Sequence, residues 1–270
     1  MADSASICVT CGTQFPPSAA PPHQCPICSD PRQYVPDAGQ RWTTLGALRS
    51  SHRNAFQQLE PGLIGVGTVP AFGIGQRALL LRSPGGNLLW DCIALLDDAT
   101  IAIITALGGL TAVAISHPHY YTTMVEWGHA FGCPVYLHAA DREHVMRPDP
   151  VLRFWEGETD ALGDGLTLIR CGGHFEGGTV LHWVGGAGGR GALLSGDIVQ
   201  VIPDRRHVGF MRSYPNLIPL PVPAVDRIVT ALEPYAFERI YGAWWDAHIL
   251  ADGKAAVRRS AARYRSAIQS

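Results

Sequence analysis

Two sets of residues in this chain have the types and spacing to bind metal. Cys8-Val9-Thr10-Cys11 and Cys25-Pro26-Ile27-Cys28 are Cys-x-x-Cys knuckles separated by thirteen residues. Each knuckle brings two thiolates to one point, and a pair of them closes a tetrahedral shell of four sulfurs, the donor set of a structural zinc site. An all-thiolate shell also accepts iron. The competing reading, four reduced thiols in a loose tail, leaves a short segment with no core and nothing else to fold it. The second set opens with Ser116-His117-Pro118-His119-Tyr120-Tyr121-Thr122. Two histidines spaced i, i+2 at the end of a strand can turn both imidazoles toward one ion, and zinc takes neutral imidazole nitrogen at about 2.0–2.1 Å. By itself His-x-His is weak. Cys171-Gly172-Gly173-His174 and Leu194-Ser195-Gly196-Asp197 add a histidine in a glycine turn and a carboxylate at a strand end.

The elements that must position these groups follow from the apolar pattern. The segment Thr111–Ile115 reads as a buried strand, with a helix over 122–131 after the histidines. Strands are expected at 63–68, 76–82, 88–91, 134–137, 166–170, 179–184, 191–195 and 238–241, and helices at 97–107, 139–145, 222–232 and 252–268. The stretch 44–59 holds a short helix, Pro31–Pro36 is extended, and 202–215 is a long irregular loop mixing arginines with aromatics. Ligands then stand on loops at the ends of several strands, the way α/β scaffolds build such centres.

In that order the residues resemble the metallo-β-lactamase fold hydrolases, from about Pro61 to the C-terminus. Asp91 stands at the end of an early strand, followed by His117 and His119, then His174 in a Gly-His turn, then Asp197 in a Gly-Asp pair. The resemblance implies a four-layer αββα sandwich over 41–270, while the paired knuckles make 1–40 a zinc-ribbon-like four-cysteine segment. It implies that His117, His119, His174 and Asp197 bind metal and that Asp91 holds the histidine loop from behind. The chain departs from the family where Tyr121-Thr122 replace an Asp-His pair that serves a second metal. It departs again near Tyr241-Gly242-Ala243-Trp244, where a last histidine is expected and only His248 lies close by. A single-metal site is therefore the expectation.

Three histidines on one zinc leave a position for water, whose pKa the ion lowers to about 7. Asp197 then either ligates the ion or holds the attacking water. Tyr121 can donate a hydrogen bond to a developing oxyanion, or it fills the vacated pocket together with Tyr120. Arg205 and Arg206 are candidates for a substrate carboxylate or phosphate, and Trp244 for closing the pocket. His138, Glu126 and Cys171 are weaker candidates.

At 270 residues, 47% hydrophobic and 16% charged, the chain can bury a large α/β core. A formal charge of −2 with no basic run argues against nucleic acid, and no apolar run has the length of a membrane span. The N-terminus lacks the basic start and apolar core of a secretory signal, so a cytoplasmic protein with free or metal-bound thiols is expected. The expected activity is hydrolysis of a small ester, thioester or lactone. Two other readings stay open: a mononuclear iron oxygenase of thiol-type substrates, and a catalytically retired module that binds a protein partner through its ribbon.

Overall fold

The structure, a computed structural model, describes residues 5–269 and divides into two compact units. Each is a sheet with its helices, the mixed α/β class expected from the sequence.

The first unit runs to residue 137 and includes 142–154. Its main sheet has seven strands, each hydrogen-bonded to the next in chain order: Arg53–Glu60, Leu63–Val69, Arg77–Ser83, Gly86–Trp90, Ala112–Ala114, Val135–His138 and Leu152–Trp155. The early strands form an antiparallel meander, after which Gly86–Trp90 and Ala112–Ala114 pair in parallel, as do Ala112–Ala114 and Val135–His138. A parallel pair needs a crossover. The helix Asp98–Ala106 supplies the first, with the Asp97 carboxylate capping the Thr100 amide at 2.8 Å and Asp98 in the first turn. The helix Met124–Phe131 supplies the second and stops at Gly132, whose φ of 61° an L residue rarely adopts. The segment between Ala112–Ala114 and this helix carries His117 and His119. It therefore lies at the carboxyl end of a parallel strand, where α/β folds place their ligands.

The same unit contains a small three-stranded sheet of Gln14–Pro17, Ala5–Cys8 and Trp42–Thr43. Ile7 of its central strand packs with Leu45, Leu48, Ala94 and Leu95. The four cysteines form a cluster with Phe15 and Ile27, covered by Trp42, Ile74 and Met146.

The second unit comprises 138–141 and the chain from 155 onward. Six strands lie in the order Thr159–Gly163, Leu166–Arg170, Thr179–Trp183, Ala192–Gly196, Arg239–Gly242 and His248–Ile249. The only parallel pairing among them joins Ala192–Gly196 to Arg239–Gly242. Val225, Ile228 and Leu232 of the helix Val222–Leu232, and Val257 and Ala261 of the helix Gly253–Gln269, share a core with Val180, Leu193 and Ile240.

Two expectations are corrected. The 202–215 segment belongs to two short ribbons, Gln200–Val201 with Val208–Gly209 and Met211–Ser213 with Ile218–Pro219. Pro31–Pro36 is not extended from its start. Asp30 accepts hydrogen bonds from the Arg32 amide (2.8 Å) and from Arg32 Nε (2.6 Å), which bends the chain, and the Gln33 amide closes on the Asp30 carbonyl at 2.9 Å.

Candidate metal centre

The strand Ala112–Ala114 delivers the chain into an extended His117, which leads a short 3₁₀ turn over Pro118–Tyr120. Behind that turn stands Asp91. It is 2% exposed, sits at φ 60°, and accepts the Ser116 amide at 2.8 Å. Burial pushes its carboxyl pKa up to about 7, with the Ser116 hydrogen bonds acting in the opposite sense. Past the histidines, Thr123 Oγ1 donates to the carbonyls of Ile93 and Ala94, and Trp127 Nε1 donates to Ile93. The loop is thus fastened at both ends to the segment after Asp91.

His174 sits in a turn that only glycine can make. Gly172 and Gly173 have φ of 69° and 82°, and a Cβ on Gly173 would fall 2.9 Å from Leu220 Cδ1. The amides of Cys171 and Gly172 both donate to the Gly178 carbonyl, closing the loop. Asp197 follows Gly196 at φ 51°, in a turn closed by Ser195 Oγ donating to the Val199 carbonyl.

The ligand atoms of His117, His119, His174 and Asp197 all lie within 4.8 Å of one another, and all four residues are buried. Ring chemistry supports their use as ligands. His174 Nδ1 lies 3.1 Å from the Met211 carbonyl, which can only accept, so Nδ1 carries the proton and Nε2 keeps its lone pair. His117 Nδ1 is held by Ser116 Oγ at 2.8 Å, again leaving Nε2 to face a metal. Tyr120 is fully buried, its ring centroid 4.3 Å from that of His117. Three imidazoles and a carboxylate are a donor set that zinc or iron accepts.

The cysteines form the second cluster, all four sulfurs within 4.8 Å of one another. Cys8 Sγ lies 3.6 Å from Cys28 Sγ, and Cys11 Sγ lies 3.7 Å from Cys25 Sγ. A tetrahedron with metal–sulfur bonds of about 2.3 Å has edges of about 3.8 Å, so the sulfurs already stand at ligand spacing. Gln40 Nε2 donates to Cys8 Sγ at 3.2 Å while its Oε1 accepts the Cys25 amide, tying the two knuckles together. Hydrogen bonds from Cys11, Cys25 and Cys28 hold the Cys8 thiol below its ordinary range.

The other sequence candidates have the following surroundings. Arg205 has φ 51° and pairs with exposed Asp246 at 3.1 Å; Arg206 follows it, its amide on Asp204 Oδ1. Trp244 is half-buried in the turn before His248–Ile249, which Gly242 closes by donating to Ala247 O at 2.7 Å. His248 pairs across that turn with Tyr241 and belongs to neither ligand cluster. Glu126 is in an ion pair with Arg147 at 2.6 Å. His138 uses both ring nitrogens, on the Gly157 carbonyl and the Ala140 amide. Burial raises the Cys171 thiol to about 12, an inert core group. Tyr121, where the phenol donor is expected, is buried at the end of the 3₁₀ turn.

The sequence did not single out Tyr214. Its hydroxyl donates to the Asp197 carbonyl at 2.8 Å and its ring lies 5.7 Å from that of His174. Burial, then the Asp197 charge, holds its pKa well above the usual phenol range, so it remains a neutral donor. With Met211 it makes one short ribbon the support for both ligands of the second unit. Among the described residues no helix is long and apolar enough to cross a membrane.

No family model matches the chain. It is 47% identical over 266 residues to the uncharacterized protein YmaE of Bacillus subtilis (strain 168), covering 98% of this chain and 97% of that one. The solved structure of DIM-1 metallo-β-lactamase is similar at a TM-score of 0.60 and 13% identity, over 80% of this chain and 98% of that one. TTHA1623 in a di-iron-bound form is similar at a TM-score of 0.50 and 19% identity, over 65% of this chain and 90% of that one.

Proposed function

This chain belongs to one family with the Bacillus subtilis protein and has the metallo-β-lactamase fold, and from that premise we propose that it is a hydrolase of small esters, thioesters or lactones with one metal at its histidine site. The observation that carries the proposal is the convergence of the buried His117, His119, His174 and Asp197, with His174 oriented by its Nδ1 on the Met211 carbonyl. Zinc bound there would supply a Lewis acid and acidify a coordinated water. The donors that a second ion would use are absent at Tyr121 and Thr122, which supports a single ion.

The remaining work falls to the protein. Asp197 orients the attacking water and takes its proton on the carboxylate. Tyr121 donates its phenolic hydrogen bond to the oxyanion that forms as the acyl carbon becomes tetrahedral. The buried loops keep bulk water from the reacting atoms. Arg205, Arg206 and Trp244 are proposed as outer contacts for the substrate's polar and apolar ends, and Tyr120 as the wall behind His117. The four cysteines would hold a second, structural zinc, and the segment 1–40 is proposed as a module that also offers a surface to a protein partner. The protein is proposed to act in the cytoplasm.

The di-iron form of the TTHA1623 fold relative favours one further reading, iron at the histidine site and oxygen chemistry on a thiol substrate. Elemental analysis of protein purified without added metal, followed by a screen of nitrophenyl esters, thioesters and lactones, separates the two. Two zincs per chain, one of them lost in His119→Ala together with esterase or lactonase turnover, is the expected result. Unchanged metal content in His119→Ala would overturn the site, and iron with oxygen uptake would select the second reading.

A further inference from the structure

The knuckle that carries Cys8 and Cys11 does not end in solvent. The Cys8 amide donates to the Thr13 carbonyl at 2.9 Å and the Gly12 amide to the Cys8 carbonyl at 2.8 Å, closing a tight turn. The next residue, Gln14, is 2% exposed and directs its amide away from the cysteine strand, onto the Thr122 carbonyl at 3.1 Å. Thr122 lies three residues past His119. Gln14 Nε2 donates to Glu126 Oε1 at 3.1 Å, in the first turn of the helix that follows the histidines. Arg147 Nη1 completes the triangle by donating to both Glu126 Oε1 and Gln14 Oε1. Gly12 lies against Thr122 so closely that a Cβ there would be 3.3 Å from Thr122 Cγ2.

Thr122 needs this restraint. Its φ of 38° is uncommon for a β-branched residue and persists only where the surrounding structure imposes it. On one side those surroundings are the carbonyls of Ile93 and Ala94, which hold Thr123. On the other they are residues 12–14, and 12–14 keep their shape through the knuckle. The turn is bracketed by Cys8 and Cys11, so a metal ligated by both sulfurs would lock its shape.

We infer that the four-cysteine site positions the histidine loop: metal held by Cys8, Cys11, Cys25 and Cys28 fixes Gln14, and Gln14 fixes Thr122 and Glu126 so that His117 and His119 are preset for their own metal. The two sites are then coupled, and occupancy of the first raises metal affinity at the second. Gln14 is a positioning residue, acting through the loop and touching no ligand. This rests on the reading of His117 and His119 as metal ligands.

The test is a titration of the metal-depleted chain with Co²⁺ alone. Cobalt among four thiolates shows sulfur-to-metal charge-transfer absorption. Cobalt on imidazole and carboxylate shows only weaker visible bands, so the two sites are followed separately in one sample. Gln14→Ala keeps every cysteine. It is expected to retain the charge-transfer band while its histidine-site affinity falls about tenfold or more, in the range seen for loss of groups that orient metal ligands. Hydrogen exchange at the Thr122–Glu126 amides should accelerate in the same variant, and Gln24→Ala, an exposed glutamine of the same module, should match the parent in both readouts. Cys8→Ser/Cys11→Ser should lose the charge-transfer band and weaken the histidine site as well. Parent-like histidine-site affinity in Gln14→Ala overturns the coupling, whether or not the cysteine variant folds. A parent with no cobalt outside the thiolate site, or a His119→Ala variant that keeps it, overturns instead the reading on which the coupling rests.

Discussion

Asp91 offers a prediction whose size and sign both come from the structure. Its carboxyl is buried and holds its proton up to about pH 7, against an ordinary value near 3.8. Each tenfold change in proton affinity is about 1.4 kcal/mol, so binding the proton this much more tightly in the fold than in the unfolded chain corresponds to about 4 kcal/mol. The sign follows from the direction. A group whose folded pKa is raised contributes stability that is fully present below about pH 4 and is lost as the pH rises through 7. Asp91→Asn removes the titration but keeps what the site needs: an oxygen to accept the Ser116 amide, and a residue type that tolerates φ near 60°. The assay is denaturant unfolding of parent and variant side by side at pH 5, 6, 7 and 8. Every other titrating group is common to both chains, so the difference isolates Asp91. Parent stability minus variant stability should fall by about 2–3 kcal/mol over that range, more than half of the total. A difference that does not move with pH would refute the argument that burial governs this carboxyl, and one that rises with pH would refute the sign.

Other outcomes follow from single contacts. Gly191→Ala would place a Cβ 2.1 Å from the Ala236 carbonyl oxygen at a φ of 85°, and should cost about 2–4 kcal/mol in denaturant midpoint analysis. Gly128→Ala, within a helix where alanine is normally favoured, should still destabilise by about 1–3 kcal/mol, because the new methyl meets Val151 Cγ2 at 2.6 Å. Tyr214→Phe leaves the Asp197 carbonyl without its 2.8 Å donor; chelator competition should show metal affinity at the histidine site reduced about tenfold with the far-ultraviolet circular dichroism unchanged. Arg205→Ala breaks only an exposed ion pair and should leave stability within about 0.5 kcal/mol, whereas a rise in KM confined to anionic substrates would establish its proposed role.

Much of this molecule is written locally. The knuckles, the glycine turn that carries His174, the Gly-Asp pair at 196–197 and the alternation of apolar runs with capped helices can all be read from neighbouring residues. The helix Val222–Leu232 occurs where its pattern places it, and Asp97 caps the helix its position predicts. The polar strand Arg53–Glu60 was not legible as a strand; it lies at the edge of its sheet with only Glu60 buried, so no buried face imposes a period of two. The ribbons within 200–219 were missed for a related reason, since strands of two or three residues are too short to show a period. What no local pattern carries is the set of long-range hydrogen bonds. Tyr214 supports Asp197 from 17 residues away, and Gln14 reaches Glu126 across 112. The sequence by itself determined which residues can bind metal, because ligand chemistry and turn geometry are properties of short segments. Only the tertiary structure decided which groups orient those ligands, because a buried polar side chain takes whatever partner the fold brings to it, and distance along the chain leaves no mark on either residue.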